Sequence, residues 1–150
     1  MALGSATITT AIAAVTTKPA GGSTTQGRTN TDISITFANG TSANQALTVI
    51  DANLTSNNGA VSLSSLFDTV GDAFGSLTRL KGLALINAST ANSTTFFCNA
   101  TGAPNSVTLL AGGSLIHLAP SANGITVAGT TQIRSNGTAS DTLRVVLLLA

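Results

Sequence analysis

Asp32-Ile33-Ser34-Ile35-Thr36-Phe37-Ala38-Asn39-Gly40 sets Ile33, Ile35 and Phe37 on one side of an extended chain and Ser34, Thr36 and Ala38 on the other, then meets an Asn-Gly pair. Alternation with a period of two describes a strand with one dry and one wet face, and Asn-Gly tolerates the positive φ that a reversal needs. The pattern recurs along the chain. Strands are expected over residues 46–50, 78–87, 94–99, 106–111, 114–119, 124–128, 131–135 and 142–149. Their spacing of roughly ten residues, with Gly, Asn or Pro between them, points to a sandwich or barrel.

Asn-Gly returns at Asn58-Gly59, Asn123-Gly124 and Asn136-Gly137, and Gly112-Gly113 separates two strand patterns. Asn136-Gly137 and Gly112-Gly113 are expected to reverse the chain. One stretch departs from the pattern: Leu63, Leu66, Phe67, Val70 and Phe74 fall near helical spacing, with Ser62 as a cap and Gly75 as a stop. One short helix or a pair of turns is expected there. The next strand, Leu80-Lys81-Gly82-Leu83-Ala84-Leu85-Ile86, is apolar on both faces and is expected to be central.

The two ends carry their own signals. Residues 7–16 are rich in Thr, Ile and Val and favour an extended strand. Residues 17–30 are polar, contain Pro19, Gly21 and Gly22, and are expected to form a loose connection. Residues 1–30 therefore read as an arm and linker, and residues 31–150 as one β-sandwich domain. An arm of this kind could reach a neighbouring subunit or fold back as an ordinary first strand. At the other end, Leu143, Val145, Leu147 and Leu149 share one face while Arg144, Val146 and Leu148 share the other. Such a strand must be covered on both sides, by its own fold or by a second subunit.

Of the 150 residues, 7% are charged; there is no Glu, Trp or Tyr, and His117 and Cys98 are each the only one of their kind. A lone cysteine excludes an internal disulfide. The six cations, Lys18, Arg28, Arg79, Lys81, Arg134 and Arg144, are scattered, so the basic stripe with interleaved aromatics that marks a nucleic-acid binder is missing. No apolar run approaches the ~20 residues of a membrane-spanning helix. Met1 to Val15 lacks Lys and Arg and is broken by Thr7, Thr9 and Thr10, so no export signal is expected. Folding in a cytoplasm fits this composition.

Chemistry is hard to place on this chain. Cys98 and His117 have no orienting carboxylate nearby in sequence, and a buried thiol with a structural histidine is the expected outcome. Asp68 and Asp72 could share a helical face, and Asp51-Ala52-Asn53-Leu54-Thr55 through Gly59 is oxygen-rich, but the latter lacks the closing glutamate and glycine position of a calcium loop. Asn39, Asn53, Asn87, Asn92, Asn99 and Asn136 begin glycosylation sequons that a chain rich in Asn and Thr produces by chance. No phosphate loop, dinucleotide fingerprint or zinc spacing is present. No enzyme, metal or cofactor is expected.

The segments Ile33 to Ala46, Leu63 to Gly75 and Leu80 to Asn87, then Gly112-Gly113-Ser114-Leu115 followed by Pro120, Ile125-Thr126-Val127 and the closing Leu143 to Leu149, resemble small all-β structural proteins of tailed-phage virions. The resemblance covers residues 31–150. It implies a jelly roll or related antiparallel sandwich that decorates or cements a capsid, as a homotrimer bound to the major capsid protein. Such a protein is assembled in the host cytoplasm and carried on the virion surface, with no nucleic acid or membrane as partner. Low charge agrees with surfaces made to be covered by protein. The expected interface residues are Ile8, Ile12 and Val15 in the arm, with Val146 and Leu148 on the last strand. A tail-tube or other tail component, or an exported bacterial surface or fibre subunit, are the competing expectations.

Overall fold

Threonine-rich alternating segments separated by Gly, Asn and Pro give strands throughout, as β-branched side chains fit a pleated, half-buried surface. The computed structural model describes residues 3–20, 23–56, 60–68, 71, 75, 77–138 and 141–150, with side chains described outside 12–33. The strands are β1 (Ser5–Ala20), β2 (Ser23–Asn39), β3 (Gln45–Ala46), β4 (Thr48–Thr55), β5 (Val61–Ser62) and β6 (Arg79–Asn87). They continue with β7 (Thr94–Cys98), β8 (Ser106–Leu109), β9 (Ser114–Leu118), β10 (Ile125–Thr126), β11 (Gln132–Gly137) and β12 (Thr142–Leu149).

The body is an all-β sandwich. One sheet runs β9–β6–β12–β4, with β10 beside the start of β6; the other runs β5–β11–β7–β8. From β4 to β12 every connection crosses between the two sheets except β7–β8 and β9–β10, which is the order of a jelly roll. Between the sheets lie Leu83 and Leu85 of β6, Leu143, Val145 and Leu147 of β12, Ile50 and Leu54 of β4, Phe96 and Cys98 of β7 and Ile133 of β11. The register explains the selection. Leu83, Leu147 and Ile50 are partners across three strands, as are Leu85, Val145 and Ala52, so one face of the sheet is dry along whole rows.

The opposite face of that sheet is covered at one end by the chain's own N-terminal region. There β1 pairs antiparallel with β2 over 16 residues, and β2 continues into a short parallel pairing with β3. Ala6, Ile8, Ile35 and Phe37, at the root of this hairpin, and Ala46 of β3 meet Val49, Leu118 and Leu148 in a second core. Gly82 makes the close approach possible: a Cβ there would stand 3.2 Å from the Ile8 Cδ1 atom. The end of β12 around Leu148 is thus enclosed on both faces, by the second sheet and by the hairpin root.

Two expectations change, and a third takes its shortest form. Residues 17–20 and 23–30 are not a loose connection, because Lys18 pairs with Thr25 and Pro19 with Thr24 within the hairpin ladder. Threonines support the extended chain, and each strand of a two-stranded ribbon keeps one edge unpaired, where a proline is tolerated. The helical spacing after Ser62 gives only a 3₁₀ turn, Leu63–Ser65, without a side-chain cap, and Leu66 is already extended. The Leu63 and Ser64 amides donate to Thr131 O and Gly129 O, so tertiary bonds replace a helical ladder too short to sustain itself. Val70, Asp72 and Phe74 lie outside the described residues. Gly112-Gly113 reverses no hairpin: β8 pairs with β7 and β9 with β6, so this turn carries the chain from one sheet to the other.

Candidate functional site

Pairing of β7 with β11 sets Phe97 opposite Arg134 and brings Asn99 beside Gln132. Alternation then sends Phe96, Cys98, Ile133 and Ser135 inward, leaving Phe97, Gln132 and Arg134 on the outer face. These side chains, with Ala60, Asn99 and Asn105, border an open cleft of about 390 Å3 whose floor includes Cys98 and Ile133. The Arg134 guanidinium carbon lies 4.5 Å from the centre of the Phe97 ring, within the range of a cation–π contact. Asn99 Oδ1 accepts the Gln132 backbone N–H at 2.8 Å, which fixes the Asn99 side chain at the rim. Among the described residues no carboxylate pairs with Arg134, and Asp51, which pairs with Arg144, sits on the other sheet.

The floor of the cleft is chemically quiet. Cys98 is 7% exposed, and burial pushes its thiol above the usual range although a backbone hydrogen bond at Ala100 opposes this. A protonated buried thiol is a poor nucleophile. His117 is half-buried on β9, opposite Leu83, and no hydrogen bond joins it to Cys98 among the described residues. Asp68 accepts a hydrogen bond from Thr48 Oγ1 at 3.0 Å. The oxygen-rich stretch from Asp51 begins inside β4 as regular strand. Among the described residues no three His, Cys or Asp side chains gather as a metal centre, and no helix is long and apolar enough to cross a membrane.

A buried cation occupies a different place. Lys81 is fully enclosed at an irregularity in the β6–β12 register, and its Nζ donates to Ser121 O at 2.7 Å and Ala122 O at 2.8 Å, with Thr41 O and Ser42 O at 3.3 and 3.4 Å. Desolvation, aided by the nearby Arg79, holds this ammonium below the usual lysine range. Carbonyl dipoles take the place of a counter-ion. Its work is to tie the loop after β2 and the loop after β9 to the central strand.

The expected interface residues fall in three settings. Leu148 is 3% exposed and Ile8 half-buried, both within the second core, so their burial needs no second chain. Val146 is half-buried one row further along, where Ala84 and Ile116 are its partners in register, and Ile86 follows in the next row. Ile86 and Ile116 remain 39% and 38% exposed, so this part of the sheet is not covered by the hairpin root. Ile12 and Val15 belong to β1, but their side chains lie outside the described set.

The Phe97–Arg134 pair escaped the sequence because its members are far apart in the chain and belong to unremarkable polar strands. Phe97 facing outward, between inward Phe96 and Cys98, is the one signal that alternation could have raised. Comparisons with known protein families, with curated proteins and with solved structures found no match.

Proposed function

We propose that this chain is a virion structural protein of the head-decoration or cement type, whose activity is to bind copies of itself and a protein shell. The β1–β2 hairpin carries this reading. Its 16 paired residues per strand extend about 50 Å at ~3.3 Å per residue. Among the described side chains, those in the second core end at Ile8 and Ile35, while Thr9, Thr10 and Ala11 are exposed. Beyond the short pairing with β3, no third strand joins the ribbon among the described residues. A two-stranded ribbon is marginal by itself in water, so one this long gains from a surface to lie on.

Two further observations support the same reading. The charge content of 7% suits a surface that other protein covers. The jelly-roll strand order is one used by viral capsid proteins, among other functions, which supports the setting by analogy of fold. Association as a trimer on the major capsid protein would place the hairpin against a neighbour, with the patch of Ala84, Ile86, Ile116 and Val146 as a second contact.

The experiment keeps the root of the hairpin and removes its length. Ala11 and Asp32 are register partners, so residues 12–31 can be replaced by an Asn-Gly turn without taking Ala6, Ile8 or Phe37 from the second core. Mass measurement and electron microscopy of the full chain, alone and co-expressed with a major capsid protein, should show a discrete oligomer and added density on the shell. The shortened chain should stay folded and lose both. A full chain that is monomeric and ignores the shell refutes the proposal, and stacked rings or tubes would move it to the tail.

A further inference from the structure

We propose that the cleft over β7 and β11 binds an acidic saccharide, with Arg134 holding the sugar carboxylate and the surrounding amides holding its hydroxyls. This is independent of the shell-binding proposal, since the cleft lies on the sheet opposite the hairpin. The shape comes first. About 390 Å3 is too roomy for a bare inorganic anion and falls in the range of small-molecule sites. The cleft opens on the face of paired strands, so its outward side chains, rather than backbone edges, must make the recognition.

The chemistry of the rim narrows the ligand. The side-chain amides of Asn105 and Gln132 and the free Nδ2 of Asn99 offer donors and acceptors together, and no hydrogen bond within the described residues uses them. A hydroxyl both donates and accepts, so a ring bearing several hydroxyls matches such a rim. Apolar surface is limited to Phe97, Ala60, Cys98 and Ile133, which suits the C–H face of one sugar ring and offers little to a lipid chain.

The charge is the selective element. The Phe97 ring anchors the Arg134 guanidinium, and no described group takes its N–H donors, which can receive a carboxylate through two parallel bonds. No described carboxylate competes for it. A uronic or sialic acid would satisfy the guanidinium, the amides and the ring together.

The test uses the full chain, with D-glucuronic acid as the probe, D-glucose as its neutral twin and acetate as the carboxylate alone. Side-chain amide signals of Asn99, Asn105 and Gln132, and the Arg134 Nε–H signal, are followed by nuclear magnetic resonance. Glucuronate should saturate with a Kd on the order of 1 mM, and glucose and acetate should each bind about tenfold more weakly or worse. Arg134→Gln should erase the difference between glucuronate and glucose, and Phe97→Ala should weaken both; unchanged amide dispersion confirms that the variants fold. The absence of a saturable shift with glucuronate overturns the proposal. So does acetate binding equal to glucuronate, which would mean an anion site only, or undiminished selectivity in Arg134→Gln.

Discussion

Replacing Phe37 with alanine asks whether the N-terminal hairpin is an appendage or a part of the folded body. Phe37 is completely buried at the hairpin root, against Leu148 and its neighbours. Truncation removes about 100 Å2 of buried ring surface, worth about 2.5 kcal/mol at ~25 cal/mol per Å2. The space left behind brings the loss to about 3–5 kcal/mol, because the strands on either side can close it only in part. For a chain of this length that lowers Tm by roughly 6–20 °C at 2–4 °C per kcal/mol. Urea unfolding at a fixed protein concentration measures the loss, and the m value reports whether the hairpin has undocked from the native body. Thr7 and Thr36, whose hydroxyls meet at 3.1 Å on the exposed face of the same hairpin, supply the control: changing both to alanine should cost within about 0.5 kcal/mol each. A Phe37→Ala loss below about 1 kcal/mol with an unchanged m value would refute an integral second core.

Further outcomes follow from the buried polar groups. Asn87 is 1% exposed, its Nδ2 donates to the carbonyls of Asn92, Leu109 and Leu110, and its Oδ1 accepts the Ser89 N–H; Asn87→Ala should cost about 3 kcal/mol in urea unfolding, several bonded groups losing their partner at once. Lys81→Met should destabilise by about 1–3 kcal/mol and raise hydrogen exchange in the loops holding Ser42 and Ser121, whose carbonyls lose the ammonium. Arg144 Nε donates to Asp51 Oδ1 at 2.9 Å, and this hydrogen bond holds the Asp51 carboxyl below its ordinary 3.8. The pair's contribution is therefore present above pH 3.8 and disappears as pH falls through the lowered folded value. Because the pair is exposed, Arg144→Gln should give only a small, salt-sensitive loss at neutral pH and none in strong acid. Cys98 should react with a thiol reagent at the rate of unfolding, not on mixing.

Much of the fold is legible in residues 79–149. Alternation places β6, β7, β9 and β12 within about a residue of their observed limits, and the two-sided apolar strands are both interior ones. Short strands such as Val61–Ser62 left no period to read, and Leu63–Phe67 carried a helical spacing whose amides found tertiary partners instead. The candidate cleft was illegible for a related reason. Gln132, Arg134 and Phe97 are ordinary residues singly, and only the β7–β11 register makes them a site.

By itself the sequence determined that this protein is built of strands, most with one wet face and one dry and two apolar on both, since the period of two follows from backbone geometry alone. It also settled the poverty of charge, a property of composition. Only the tertiary structure decided which strands are neighbours, that Gly112-Gly113 links two sheets, that residues 17–20 and 23–30 continue a hairpin, and that Leu148 is covered by its own chain. The physical reason is common to all four. Alternation tells a side chain which way to face, whereas pairing is chosen by contacts between distant segments whose free energy is shared across the whole sandwich.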